Sequence, residues 1–314
     1  METGDRSTVH NRDPFSGPRP GVRRDGDPPP ESTPSYSWVF PKPDAEPAPP
    51  PPEPRGPRWV LPSFLFIATC FSTFLVGGPA FAASLMFILL AHELGHYLQA
   101  RRYGVPASLP YFIPMPFTPI GTMGAVIGMR PHSAHTRALF DLAITGPIAG
   151  LIPALVASYA GLRMSTVGVI EEGGNFLRLG EPLVFKLLSQ LTFGPLPEGH
   201  DVTLHPIAFA GWVGIFITAL NLLPIGQLDG GHILYTLLPR YAYPVSVALL
   251  GAAAVAVVVG GYWQWSLLIL LLALIGARHP PTANQIPLGR GRQLLGVLML
   301  LFVFVGFTPT PFIL

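Results

Sequence analysis

Along the chain, polar and proline-rich sequence gives way after Arg58 to apolar runs separated by short polar breaks. The first 57 residues carry 16 of the 38 prolines, with residues 28–30 and 49–52 as unbroken runs. Such sequence has no apolar face to bury, so residues 1–57 are expected to form a disordered tail with polyproline stretches. An aromatic island at residues 35–40 lies within it, with no specific role expected. From residue 58 onward the pattern predicts a membrane domain. Residues 59–78, 80–99, 140–160, 206–224, 243–260, 262–277 and 293–312 each approach the run of about 20 apolar residues that crosses a bilayer as helix. Two stretches break the pattern. Residues 105–131 are apolar but studded with Pro and Gly, which predicts an irregular or β-like re-entrant segment enclosed by protein or by a wet cavity. Residues 161–205 mix polar and apolar positions and read as an extramembrane or interfacial loop. The expected fold is therefore an all-α polytopic membrane protein with six or seven transmembrane helices.

Composition agrees with this and excludes a soluble domain. Charged residues are 11% of the 314, against about 25% in soluble domains. Nine of the 17 acidic residues precede residue 58, too few being left to solvate the surface of the rest. Cys70 is the single cysteine, which rules out an intrachain disulfide and a cysteine metal cluster. The polar start of the chain is unlike a secretory signal peptide. Placing the tail inside and alternating sides at every span leaves 16 of the 19 Lys and Arg inside, with Arg163, Arg178 and Lys186 outside. The expected orientation places the tail on the cytoplasmic side, together with His96 and Asp229. The lipid bilayer is the expected partner, and no nucleic acid is.

Within the apolar segments three carboxylates stand out, Glu93, Asp141 and Asp229, because ionisable groups there are costly and functional by default. The first belongs to an HExxH pattern, His92-Glu93-x-x-His96, near the inner end of the second run. On a helix, positions i and i+4 share a face, so both imidazoles can hold one metal ion while Glu93 takes a proton from water. A catalytic zinc ordinarily has a third protein ligand. Asp229 and His232 are the polar candidates at the same depth, and Asp229 is favoured because the preceding run ends on the same side as His96. Gly230 and Gly231 would let backbone approach metal or substrate.

His92-Glu93-Leu94-Gly95-His96 in an apolar run, followed by Asn221-x-x-Pro224 and Asp229-Gly230, resembles the site-2 protease family of intramembrane zinc metalloproteases, in its bacterial and plastid-type members. Residues 121–129, 140–150 and, less specifically, 277–282 agree with it. The resemblance covers residues 80–235, the expected catalytic core of a membrane domain spanning 58–314. It implies a three-helix core and one zinc per chain on His92, His96 and Asp229. It further implies Glu93 as general base and Asn221 holding substrate backbone or the developing oxyanion. The substrate it implies is a transmembrane protein, cut in regulated intramembrane proteolysis, with any regulatory partner unknown, and the location it implies is a bacterial inner membrane with the active site towards the cytoplasm. A transporter or metal-binding membrane protein without hydrolysis is the alternative, but Glu93 serves no purpose in a pure metal site. A glutamate third ligand from a later helix fails, because Glu171, Glu172, Glu181 and Glu198 all fall outside.

Other positions carry structural expectations. Gly146, Pro147 and Gly150 read as a helix-packing face, and Asp141 as a helix cap or a partner of Arg137. His132 and His135 read as solvated loop residues, and His205 and His279 carry no expected role.

Overall fold

The computed structural model describes residues 59–129, 134–169, 177–284 and 286–313. The proline-rich tail, its aromatic island and His132 lie outside the described residues.

Helix α1 (Val60–Tyr103) takes in the first two apolar runs as two arms. They meet at Gly78, whose φ of 74° and ψ of −175° are non-helical, and at Pro79, which has no N–H to donate back. The second arm runs past the expected end at residue 99 and stops at Gly104, left-handed at φ 65°, whose N–H returns to the carbonyls of Ala100 and Arg101. The irregular region that follows contains an antiparallel hairpin, β1 (Tyr111–Met115) with β2 (Gly121–Val126). It docks on the first arm of α1. Ser72 Oγ donates to the Gly121 carbonyl at 2.6 Å, and Phe66 meets Phe112 edge-on at 5.1 Å.

Helix α2 (Thr136–Arg163) is capped by His135, whose Nδ1 accepts from the Ala138 N–H, so this histidine is a cap rather than a solvated loop residue. The chain then runs through a series of short elements. Strand β3 (Thr166–Val169) precedes β4 (Arg178–Leu179), and helix α3 (Leu183–Phe193) is followed by β5 (His200–Thr203), which pairs with β3. The expected loop at 161–205 thus carries strands and a helix among its described residues. Its anchor is Trp212, whose Nε1 donates to the Gly180 carbonyl.

Trp212 belongs to α4 (Pro206–Asn221), capped by His205. This helix is apolar on every side and occupies the centre of the bundle, with Trp212, Val213 and Ile215 fully buried. It approaches α2 through small residues: a Cβ on Gly161 would lie 2.1 Å from Ala208 N, and one on Gly211 2.4 Å from Ser158 N. Beyond α4 come α5 (Asp229–Leu237), α6 (Pro239–Gly260), a 3-10 turn at Trp263–Trp265, α7 (Ser266–Ile275) and α8 (Arg290–Gly306). Strand β6 (Phe312–Ile313) returns to pair with β4.

Among the described residues three helices are long and apolar enough to cross a membrane, Val60–Tyr103, Thr136–Arg163 and Pro239–Gly260. The remaining apolar runs fold shorter than their hydropathy implied. Helix α4 stops at Asn221, before Pro224, and α7 has only ten residues.

Candidate metal centre

The second arm of α1 carries His92, Glu93 and His96, all buried, with only 4–5% of each exposed. Both imidazoles point their Nε2 atoms at one spot, 3.1 Å apart. Asp229 enters from the first residue of α5, its Oδ2 standing 3.3 Å from His92 Nε2 and 3.4 Å from His96 Nε2. A carboxylate at a helix N-terminus also meets the positive end of the helix dipole. Glu93 follows His92 directly in α1 and is buried like it. Asn221, the last residue of α4, brings its Nδ2 to 3.5 Å from His92 Nε2. Four of the five expected residues, His92, His96, Asp229 and Asn221, thus converge from three separate helices, with Glu93 buried next to His92 in sequence.

The donor set fits a metal ion. Ligands around a tetrahedral zinc with bonds of about 2.0–2.1 Å stand about 3.3 Å apart, close to the three separations found. One tautomer is fixed as well. His96 Nδ1 donates to the Leu142 carbonyl at 2.8 Å, which leaves its Nε2 lone pair free for a metal.

Two glycines make room for the rings. A Cβ on Gly146 would fall 2.0 Å from His96 Nε2, and one on Gly150 would fall 2.9 Å from His92 Cβ. The expected packing face is thus the wall against which both histidines lie. Thr145 tightens the same contact by donating to the Gly95 carbonyl at 3.2 Å.

Some expectations change. Gly230 and Gly231 approach the preceding loop rather than the metal corner: added Cβ atoms would fall 1.9 Å from the Leu222 carbonyl oxygen and 2.3 Å from that of Gly226. Asp141 pairs with Arg292, not Arg137. Arg292 donates to both its oxygens at 2.7 and 2.9 Å, and the Tyr103 hydroxyl adds a third hydrogen bond. Arg137 instead reaches the Pro287 carbonyl. His232, the second candidate ligand, turns its Nδ1 to His279 Nε2 at 2.5 Å. Burial and the neighbouring His279 hold the His232 imidazole well below the usual histidine range, and burial lowers His279 too, so both rings are neutral at pH 7. The sequence carries one signal for His279, the less specific match at residues 277–282, and no role.

Residues 80–259 match Peptidase family M50. The chain is 27% identical over 285 residues to "Probable zinc metalloprotease EGY2, chloroplastic" of Arabidopsis thaliana, covering 82% of this chain and 50% of that protein. It is 33% identical over 258 residues to "Probable zinc metalloprotease EGY3, chloroplastic" of Oryza sativa subsp. indica, covering 74% and 42%. With "Probable zinc metalloprotease EGY1, chloroplastic" of Arabidopsis thaliana it shares 35% over 156 residues, 48% and 28% of the two chains. The chain thus spans half or less of the length of these relatives. No solved structure matches it.

Proposed function

This chain belongs to Peptidase family M50, the site-2 proteases, and on that premise we propose that it is an intramembrane zinc metalloprotease, cutting peptide bonds within or near the transmembrane segments of membrane-anchored proteins. The observation that carries the proposal is the convergence of Asp229, from the start of α5, on His92 and His96 of α1, with Glu93 next to His92 in an otherwise apolar stretch of that helix. His92, His96 and Asp229 would hold one zinc. When bound, zinc supplies Lewis acidity, polarising the scissile carbonyl and acidifying water. Glu93 takes the proton from the attacking water and hands it to the departing amine nitrogen. Asn221 Nδ2 donates to substrate backbone or to the oxygen that gains charge at the scissile carbon. Transport or metal storage leaves Glu93 without work, and so accounts for the site less completely.

A helical substrate must unwind before its carbonyls can be reached. The hairpin of β1 and β2 is two-stranded, so each strand keeps an edge to which extended backbone can pair. The domain crosses the bilayer six or seven times, with residues 1–57 as a separate tail. Its metal-bearing end faces the Lys- and Arg-rich side of the membrane. The named relatives are chloroplastic, which points to a plastid-type membrane rather than the bacterial inner membrane expected from sequence.

The test is metal content and cleavage of a generic transmembrane substrate by the full chain in detergent or nanodiscs. Parent protein should hold about one zinc per chain and lose cleavage when a chelator strips it. Glu93→Gln should keep the zinc and cut at least about 100-fold more slowly. Undiminished cleavage by that variant, or by zinc-free protein, would falsify the proposal.

A further inference from the structure

Between α7 and α8 the chain passes along the metal-bearing end of the molecule, and it is gripped there at three points. At Gly276 (φ 94°) the backbone turns, and its carbonyl oxygen comes within 2.6 Å of where a Cβ on Gly226 would stand. Next, His279 is held by two residues of α5. Tyr235 stacks on its ring at 4.0 Å between centroids, and His232 hydrogen-bonds to it. Further on, the Ala283 N–H donates to the Ala134 carbonyl, while the Thr136 N–H donates to the Asn284 carbonyl at the start of α2. The segment 276–284 therefore straps α5, which carries Asp229, to α2, which carries Gly146, Gly150 and the carbonyl that orients His96.

The hydrogen bonds in this strap have a direction. A carbonyl oxygen only accepts, so the 2.6 Å contact between His279 Nδ1 and the Pro280 carbonyl places a proton on Nδ1. With the ring neutral, His279 Nε2 is an acceptor, and His232 Nδ1 must be the donor to it. The pair has one arrangement, set by a backbone carbonyl.

Orientation matters because α5 is only nine residues long and begins at Asp229. Its start is seated by Gly230 and Gly231 against the Leu222–Gly226 carbonyls, which fixes its distance from the loop. Rotation about the helix axis is a separate freedom, and small rotations swing a carboxylate away from its partners. His232 lies one turn after Asp229, on a neighbouring face, where a directed bond resists that rotation. Metal ligands need placement to within about 0.5 Å, normally secured by groups that touch no metal themselves.

We propose that the His232–His279 hydrogen bond is a positioning latch, holding α5 in the rotation that presents Asp229 to His92 and His96. The proposal rests on the metalloprotease reading and deepens it, making His279 a positioning residue outside the family-matched segment.

The test compares parent, His279→Ala and His279→Gln as full chains in nanodiscs, reading zinc affinity by chelator competition and the visible spectrum of cobalt(II)-loaded protein. Glutamine places an acceptor oxygen near the position of imidazole Nε2, so it can still receive the His232 proton. Expected are zinc binding weakened on the order of 10-fold in His279→Ala, a shifted cobalt spectrum, and recovery of both in His279→Gln. Parent-like affinity and spectrum in His279→Ala overturn the latch. So does equal loss in both variants with a lowered melting temperature, which marks mere packing. Parent protein that holds no zinc overturns the metalloprotease reading and the latch with it, whereas zinc-loaded parent beside an unaffected alanine variant overturns the latch alone.

Discussion

Gly146 and Gly150 repeat the spacing of His92 and His96 in reverse order, Gly146 lying against His96 and Gly150 against His92. Two helices running antiparallel with a four-residue period on each produce this register, so the glycines are matched to the imidazoles rather than to helix packing in general. The consequence is testable. Alanine in a helix interior is favoured over glycine by about 1 kcal/mol, yet a Cβ at position 146 would sit 2.0 Å from His96 Nε2. Gly146→Ala should therefore keep the fold and lose zinc, with affinity down on the order of 100-fold. Gly251→Ala on α6, where a Cβ meets nothing within 4 Å, should retain full zinc; chelator competition on the two purified variants checks both, and a zinc-replete Gly146→Ala would sink the fit. The histidines and Glu93 were legible in sequence because one helical turn carries all three. Asp229 and Asn221 were legible only through the resemblance and the shared membrane depth. The glycine match was not read, since it requires knowing which two faces meet. The part played by His279 was hidden for a related reason: its partners are 44 and 47 positions away, and no local period links them.

At the scale of elements, hydropathy located the helices but misjudged their lengths. The break at Gly78–Pro79 was readable from residue chemistry, while the early stop of α4 and the folding of residues 161–205 depend on contacts such as Trp212 with Gly180. Asp141 shows the same limit. Its neighbour Arg137 is four residues away, the usual helical partner distance, yet Arg292 wins. The guanidinium reaches both carboxylate oxygens, and Tyr103 occupies the remaining side, tying the end of α1 and the start of α8 to α2. Arg292 is 39% exposed and Asp141 only 14%, so removing the arginine leaves a mostly buried carboxylate short of donors. Arg292→Ala should destabilise the protein by about 1–3 kcal/mol, seen as a lower melting temperature. Arg292→Lys should recover only part of this, because an ammonium cannot form the two parallel bonds. A melting temperature unchanged in Arg292→Ala would mean that Tyr103 alone satisfies Asp141.

For the whole molecule, contacts sort the helix ends into two groups without reference to any membrane. The Tyr103–Asp141–Arg292 cluster and the Thr136–Asn284 bond gather the end of α1 and the starts of α2 and α8. At the other end, His205 N–H donates to Ser165 Oγ, and Gly180 N–H to the Pro311 carbonyl. Among the described residues Arg101, Arg102, Arg137, Arg240, Arg278, Arg290 and Arg292 go with the first group and Arg163, Arg178 and Lys186 with the second, a division of seven to three. Basic residues are retained on the side from which a membrane protein inserts, so this asymmetry predicts orientation from charge while the contacts fix which charges go together. Single cysteines at Gln190 and Asn284, both exposed and one in each group, should be told apart by an impermeant thiol reagent applied to sealed vesicles of native orientation. Gln190→Cys should label from outside, and Asn284→Cys only after the membrane is opened. Native Cys70, half-buried in α1, should remain unlabelled in the parent chain. The reverse pattern would invert the domain and put His92, His96 and Asp229 near the outer face, and labelling of both cysteines from outside would place the two groups on one side of the bilayer. Either result would break the link between charge and orientation, because the two sites are joined through α2, whose 28 residues extend about 42 Å at 1.5 Å per residue, enough to carry its ends to opposite sides of the hydrocarbon core.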